Sequence, residues 1–239
     1  MKRAILIAVG LVGLAMPAVA ADLPNRMVTK APVMAEPVWN WTGFYAGVNG
    51  GFGWARSAHT DVTGASTGLF NQRGGLIGGT LGYNWQTGPA VFGLETDLDW
   101  ANIDGSQAAC GFGNCFTTMR SFGTARGRLG YSFNNWMPFI AGGLAYANIR
   151  AGQDGVGGAA SDQWRAGWTI GGGVEAMFAP NWSAKIEYLY ADFGTNAATS
   201  YTPVGIRGVN VGASERNVNI VRAGINYHFN WGGPVVARY

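Results

Sequence analysis

Charged residues are scarce in this chain, and many of them recur at alternate positions of short stretches. Only 12% of its 239 residues are Asp, Glu, Lys or Arg. Alternate positions of a β-strand point to the same face of a sheet, so the charges of each stretch would share one side. This spacing predicts a network of paired charges, whose candidate members are Glu95, Asp97, Asp99, Arg126, Arg128, Arg165, Glu175, Lys185, Glu187 and Arg222.

The cysteines and histidines predict no further reactive site. Cys110 and Cys115 lie close together in the sequence, which in a secreted protein predicts a disulfide across a short loop. Two cysteines with no nearby histidine make a poor zinc site. His59 and His228 are predicted at opposite ends of the fold, so neither has the nucleophile and orienting acid that acyl chemistry requires. We expect neither an enzyme nor a cofactor.

The elements that position the charges are predicted to be β-strands. Stretches of the chain alternate between apolar residues and polar or small ones, the pattern of strands with lipid on one side and a crowded lumen on the other. In the clearest stretch, Trp164 and Trp168 lie on the face opposite to Arg165. The eight predicted strands span residues 42–54, 75–85, 90–101, 118–131, 138–149, 164–178, 182–190 and 216–229.

The connections between these strands alternate in length. Those at 55–74, 102–117, 150–163 and 191–215 are long, and those at 86–89, 132–137 and 179–181 are short. Bacterial outer-membrane barrels have short periplasmic turns and long external loops. A closed sheet also pairs the backbone groups that hydrocarbon cannot satisfy. The predicted fold is therefore all-β, an eight-stranded antiparallel up-and-down transmembrane β-barrel in the outer membrane with both termini in the periplasm.

The N-terminal residues predict export. Lys2 and Arg3 precede an apolar run, and Ala18 and Ala20 form a small-x-small cleavage site, which is the order of regions in a secretory signal peptide. The run is too short for a membrane-spanning helix, which needs about 20 residues. The predicted organisation is a signal peptide at 1–20, a flexible periplasmic lead-in at 21–40, the barrel at 41–229 and a periplasmic tail at 230–239.

The composition agrees with a membrane barrel. Aromatic residues make up 13% of the chain and glycine accounts for 39 positions. Tryptophans stand near the predicted strand ends, where an interfacial aromatic girdle is expected; they are Trp54, Trp85, Trp100, Trp164 and Trp182. The net charge of +3 comes without a dense basic run, so we expect no nucleic-acid partner.

The inward charges have two interpretations. Buried charges are tolerated when they are paired, and an eight-stranded lumen is just wide enough for side chains to fill, so the charges can plug the barrel. Alternatively, they line a narrow pore, since glycines on the inward faces leave room for water; these are Gly47, Gly51, Gly78, Gly82, Gly93, Gly171 and Gly173. We favour the plug and keep the pore as the alternative.

Several segments carry a family resemblance. WTGFYAGVNGGFGW at 41–54 and the segments at 126–131, 138–146, 182–190 and 221–229 resemble the small alphaproteobacterial outer-membrane proteins known as the RopB-like group of surface antigens. The resemblance covers nearly all of the mature chain. It implies an eight-stranded barrel distantly similar to the membrane domain of OmpA. It also implies porin-like, structural, antigenic or, in some members, haem-binding roles.

The resemblance also gives the last strand a role in assembly. Gly224, Tyr227 and Phe229 look like the C-terminal signal read by the barrel assembly machinery, although here further residues follow Phe229. The expected partners are this machinery, outer-membrane lipid, lipopolysaccharide and an extracellular ligand or host surface. The predicted function is an integral outer-membrane barrel with an envelope-structural and surface-interaction role and an ion-pair network in its lumen. The alternative is a narrow porin-like channel for small ions or solutes.

Overall fold

The computed structural model describes residues 39–60, 68–107, 114–154, 159–194, 199–201 and 211–229. The strands are β1 (Gly43–Thr60), β2 (Phe70–Thr87), β3 (Ala90–Gln107), β4 (Asn114–Tyr131), β5 (Trp136–Asp154), β6 (Ala159–Ala179), β7 (Trp182–Asp192), β8 (Thr199–Tyr201) and β9 (Val211–Phe229). The predicted signal peptide with Ala18 and Ala20, most of the lead-in and the C-terminal tail lie outside the described residues. Within those residues, no helix has the length and apolar character needed to cross a membrane.

The long strands close into a ring. From β1 to β7 each strand pairs antiparallel with the next one in the chain, β7 pairs with β9, and β9 pairs back with β1. The short β8 adds to the sheet beside β9. Closure leaves the ring without a free edge. The predicted eight-stranded antiparallel up-and-down barrel is confirmed, with β8 as a short additional strand.

Burial alternates along the strands as predicted. On β3, Glu95 and Asp97 are buried, whereas Leu94 and Leu98 are 61% and 56% exposed. The outward positions of the other strands likewise carry exposed apolar side chains, among them Val48, Ile77, Ile140, Ile170 and Ile186. An apolar outer surface around an interior that holds buried charges is the reverse of a soluble protein and suits a lipid bilayer.

The strands are longer than the sequence predicted. β1 extends to Thr60 and β2 begins at Phe70, so much of the predicted loop 55–74 is strand, and the other predicted long loops are shortened in the same way. In this extension Ser57 and Gln72 are buried, and Gln72 Nε2 donates to Ser57 Oγ. Because the outward residues Arg56, Asn71 and Arg73 are polar there, the apolar alternation stops before the strand does.

The two ends of the barrel differ in their connections. Tight turns join β2 to β3, β4 to β5 and β6 to β7. Gly88 and Asn134 in two of these turns have positive φ angles of 59° and 58°, a conformation that glycine and asparagine adopt at low cost. We call this end, where β1 begins and β9 ends, the turn end, and we call the opposite end the loop end.

Aromatic side chains surround the outer surface near both ends. Trp85 and Trp182 lie at the turn end, and Trp54, Trp100 and Trp164 lie nearer to the loop end. All five are at least 42% exposed. Transmembrane barrels have aromatic girdles at both membrane interfaces, so these tryptophans delimit an apolar band between the two ends.

Candidate functional site

The middle of the lumen holds a cluster of buried charges, which we call the charge layer. Inward positions of β3, β4, β6, β7 and β9 supply five acids and four bases, each with a side chain at most 1% exposed. The members of the charge layer are Glu95, Asp97, Asp99, Arg126, Arg128, Glu175, Lys185, Glu187 and Arg222. The charge layer thus joins five strands of the barrel through ion pairs.

Arg222 is the most highly connected base of the charge layer. Its Nη1 and Nη2 donate to the two carboxylate oxygens of Asp97 at 2.9 and 2.7 Å. Its Nε donates to Glu187 Oε1 at 2.6 Å, and Nη1 also donates to Asp99 Oδ2 at 3.0 Å. Because β9 and β3 are not neighbours in the ring, the bidentate pair with Asp97 spans the lumen.

Arg126 connects the acids of two strands. Its Nη1 donates to Glu187 Oε2 at 3.0 Å and its Nη2 donates to Asp97 Oδ2 at 3.1 Å; Nη2 also pairs with Glu95. Glu95 in turn accepts a hydrogen bond from Lys185 Nζ at 2.8 Å. Removing one base of such a buried network leaves an excess of buried negative charge among its partners, at a cost of about 3–5 kcal/mol.

Arg128 connects the charge layer to aromatic residues on its turn side. Its Nη2 donates to Glu175 Oε2 at 2.7 Å and its Nη1 donates to the Tyr45 hydroxyl at 3.0 Å. That hydroxyl donates to Glu95 Oε2 at 2.7 Å. The guanidinium lies 4.2 Å from the centre of the Phe139 ring, a favourable cation–π arrangement. The charged and apolar parts of the lumen are therefore in direct contact.

Two apolar layers flank the charges. At the turn end, the turn-end layer consists of Trp41, Val91, Met137 and Met177. Toward the loop end, the loop-side layer consists of Ala55, Leu76, Ile103, Met119, Phe122, Ala145, Ala147, Ile149, Leu189, Ala191, Phe193, Val218 and Ile220. Sequence reasoning missed both layers, because it expected polar or small residues inward. The available signal was the occasional large apolar residue at an inward position of a predicted strand, such as Phe122 and Ile220.

The inward glycines lie close to residues of the neighbouring strands. A Cβ built at Gly82 would overlap the Tyr45 ring, and one built at Gly51 would meet Arg222 and the backbone of β9. Similar close approaches to a neighbouring residue occur at Gly47, Gly78, Gly93, Gly171 and Gly173. The space directly beside these glycines is therefore taken by neighbouring residues, and the water-filled pore stays the alternative prediction.

Three predicted site residues lie away from the charge layer or outside the described residues. Arg165 is half-buried nearer to the loop end of β6, where its Nη2 donates to Gln163 Oε1 at 3.0 Å. Cys115, at the start of β4, is buried and disulfide-bonded. Cys110 lies outside the described residues, so the bridge between the two cysteines stays a prediction.

The predicted assembly signal lies at the turn end of β9. Gly224 is on the lumen face, whereas Tyr227 and Phe229 alternate outward. The Tyr227 ring is 5.1 Å from the Phe229 ring and 5.1 Å from the Trp182 ring of the neighbouring strand. Phe229 remains 40% exposed. The two outward aromatics are thus part of the turn-end girdle, and their role in assembly stays a prediction.

The structure places one histidine beside a serine and an acid, which the sequence did not predict. His228 Nε2 is 2.9 Å from Ser183 Oγ and 3.6 Å from Glu175 Oε1. However, the Ser183 hydroxyl donates to Glu175 at 2.5 Å, and all three residues are at most 2% exposed. In a nucleophilic triad the acid instead orients the base from the side away from the serine. This trio therefore lacks both the geometry and the access that catalysis needs.

The other histidine lies in a strand, not in a loop as predicted. His59, near the end of β1, is 1% exposed. Its Nε2 is 2.9 Å from Thr117 Oγ1, and its ring centre is 5.5 Å from that of Phe70. In the described ranges, no three His, Cys, Asp or Glu side chains are grouped so as to hold a metal ion.

Known proteins share both the sequence pattern and the fold. The model of the family described as outer membrane protein beta-barrel domain matches residues 6–233. The 31 kDa outer-membrane immunogenic protein of Brucella melitensis is 34% identical over 220 residues, which cover 84% of this chain and 88% of that protein. The 22 kDa outer membrane protein of Rhizobium leguminosarum bv. viciae is 31% identical over 169 residues, 69% of each chain.

One solved structure of a related shape is the outer membrane protease OmpT of Escherichia coli. It superposes with a TM-score of 0.50 at 8% identity, covering 82% of this chain and 99% of that one. At this identity the likeness concerns the fold alone. It therefore adds support for a closed barrel and no evidence on activity.

Proposed function

The chain belongs to the outer membrane protein β-barrel domain family, and from this premise we propose that it is a plugged outer-membrane barrel with an envelope-structural and surface-interaction role. The family match and the Brucella and Rhizobium relatives confirm the resemblance drawn from the sequence and place the protein in the outer membrane. Its specific role is our proposal, argued from the contents of the lumen.

The observation that carries the proposal is the succession of three layers of buried side chains along the lumen. The turn-end layer, the charge layer and the loop-side layer follow one another. A hydrated ion would have to displace the bidentate Arg222–Asp97 pair and then cross an apolar layer, where it would lose its water at high cost. These contacts support a closed barrel over a narrow channel.

The ends of the barrel support one orientation in the membrane. The turn end has short connections and both strand termini, as the periplasmic side of bacterial barrels does. We therefore place the turn end and both chain termini in the periplasm and the loop end outside the cell. In this orientation Gly224, Tyr227 and Phe229 face the side from which the barrel assembly machinery acts.

The surface-interaction part of the proposal rests on the relatives and on the loop end. The Brucella relative is named an immunogenic outer-membrane protein, and by analogy we propose that the loop end of this chain meets ligands or host surfaces. Its membrane partners would be outer-membrane lipid and lipopolysaccharide. We propose no catalytic activity, because the buried Ser183, His228 and Glu175 are not arranged as a triad.

The experiment is a conductance measurement in planar bilayers with purified, folded protein. We expect no current steps above those of protein-free bilayers, because the three layers fill the lumen. Two variants accompany the wild type. Asp97→Asn removes a charge from the charge layer, and Asp104→Asn removes the same charge from an exposed position of the same strand.

The outcomes separate the plug from the pore. Silence of the wild type, with folding verified by a β-rich circular dichroism spectrum, supports the plugged barrel. Reproducible steps whose ion selectivity shifts in Asp97→Asn but not in Asp104→Asn would overturn it. That result would instead favour a charge-lined channel, since lumen charges set the selectivity of a pore.

A further inference from the structure

A polar groove lies on the outer surface of the barrel at the loop end. It occupies about 490 Å³ on β9, β1 and β2. We call it the arginine groove, and its outward side chains are Trp54, Arg56, Asn71, Arg73, Asn217 and Asn219. It is distinct from the lumen, because these side chains point away from the charge layer.

The register of the strands brings the two arginines of the groove together. Arg56 pairs with Asn71 of β2 and with Asn217 of β9, and Trp54 pairs with Arg73 of β2. Arg56 and Arg73 are therefore diagonal neighbours, about 7–8 Å apart at the backbone, a separation that long side chains can bridge. Two guanidinium groups can thus reach a single anion.

Both arginines are available to bind. Arg56 and Arg73 are exposed, and neither side chain forms an ion pair or a hydrogen bond within the described ranges. Asp104 is the partner of Arg73 in the register of β2 and β3. Within the described residues, their side chains form no ion pair. The Tyr188 hydroxyl donates to Asn219 Oδ1 at 2.6 Å, which leaves the amide N–H groups of Asn219 to donate elsewhere.

The groove lies at the depth of lipid headgroups. Trp54, 42% exposed, belongs to the loop-end girdle, and girdle aromatics sit at the membrane–water interface. The next outward positions toward the turn end are Phe52 and Val221, which are 49% and 40% exposed. A ligand in the groove would therefore have acyl chains beside an apolar wall and its headgroup beside the arginines.

We propose that the arginine groove binds the phosphate of an outer-leaflet glycolipid. Arg56 and Arg73 donate to the phosphate oxygens, because the planar guanidinium matches phosphate in a bidentate geometry. The amide of Asn71, which lies opposite Arg56 on β2, and that of Asn219 supply neutral donors. The choice of the outer leaflet rests on the orientation proposed above, but binding itself does not depend on a closed lumen.

The test is native mass spectrometry of the full-length barrel in detergent, titrated with bis-phosphorylated lipid A. The groove variant is Arg56→Gln with Arg73→Gln. The matched control is Arg120→Gln with Arg150→Gln, which removes the same charge from the exposed Arg120 of β4 and the half-buried Arg150 of β5 at the same end. Circular dichroism verifies that each variant is folded.

We expect the wild type and the control to bind one lipid with equal affinity and the groove variant to bind at least about tenfold more weakly, because charge-assisted hydrogen bonds are lost. Dephosphorylated lipid A should bind all three proteins as weakly as the groove variant binds the phosphorylated form. Equal binding by wild type and groove variant, or equal loss in the control, would overturn the proposal.

A second arm separates a lipid site from a site for soluble anions. Glucosamine 1-phosphate carries the phosphate and the sugar without acyl chains, so we expect its binding to be at least about tenfold weaker than that of the lipid. Binding as tight as that of the lipid would overturn the assignment to a membrane lipid. Because all arms are done in detergent, neither the orientation nor the conductance of the barrel affects the result.

Discussion

The same residue types differ in burial and in partners between the inner and outer faces of the barrel wall. Arg222 is 1% exposed and donates to three carboxylates in the lumen. Arg73 is exposed on the outer face and forms no ion pair within the described residues. Because only Arg222 is removed from solvent and held by fixed partners, its charge contributes to the fold, whereas that of Arg73 is free to contact other molecules.

The contrast extends to leucine and glycine. Leu144 is 65% exposed on the outer face without harm, since its surroundings there are lipid. A Cβ built at Gly51 on the inner face would meet Arg222, whereas one built at Gly127 on the outer face would meet no atom within 4 Å. The side of the wall, and not the residue type, determines which substitutions the barrel tolerates.

The largest expected effect comes from breaking the charge layer. Arg126→Leu should destabilise the barrel by about 3–5 kcal/mol, because Glu95, Asp97 and Glu187 lose a shared partner in a buried site. Urea unfolding in lipid vesicles measures the change. Arg120→Leu, on an outward position of the same strand, is the control and should change stability by less than about 0.5 kcal/mol. Equal effects of the two substitutions would mean that our assignment of the faces is wrong.

An intermediate effect is expected from charging the outer face. Leu144→Arg, near the middle of the apolar band on β5, should cost about 2–4 kcal/mol and impair insertion into vesicles. Leu129→Arg, close to the turn end of β4, should cost only about 0–1 kcal/mol, because the penalty falls toward the membrane interface. The folded fraction after refolding into vesicles distinguishes them. A Leu129→Arg variant that inserts less well than Leu144→Arg would contradict our placement of the apolar band.

The sequence predicted which face of each strand a side chain lies on better than it predicted the contacts between side chains in the lumen. Period-two alternation depends on neighbours in the chain, so the inward placement of Glu95 and the outward placement of Trp164 followed from it. The pair of Asp97 and Arg222 joins residues 125 positions apart. Such a contact depends on the stagger of the closed ring, which no local pattern encodes.

The glycines show the same limit. Gly82 was predicted on an inward face, but only the register of β1 against β2 shows that the Tyr45 ring fills the space beside it. Polar strand extensions such as that of Ser57 were missed for a related reason, since no apolar face marks them. What the sequence left open was therefore the set of contacts made between strands.

The smallest expected effect tests whether the space beside the inward glycines is occupied by other atoms. Gly51→Ala should destabilise the barrel by about 1–3 kcal/mol, because the new methyl group would press against the backbone of β9 and the Arg222 side chain. Gly127→Ala adds the same methyl group on the outer face, where no atom lies within 4 Å, and should shift stability by less than about 0.5 kcal/mol. Urea unfolding of both variants in the same vesicles gives the comparison. If Gly51→Ala were as stable as Gly127→Ala, the lumen would have unfilled space beside Arg222, and the argument for a plugged barrel would lose its support there.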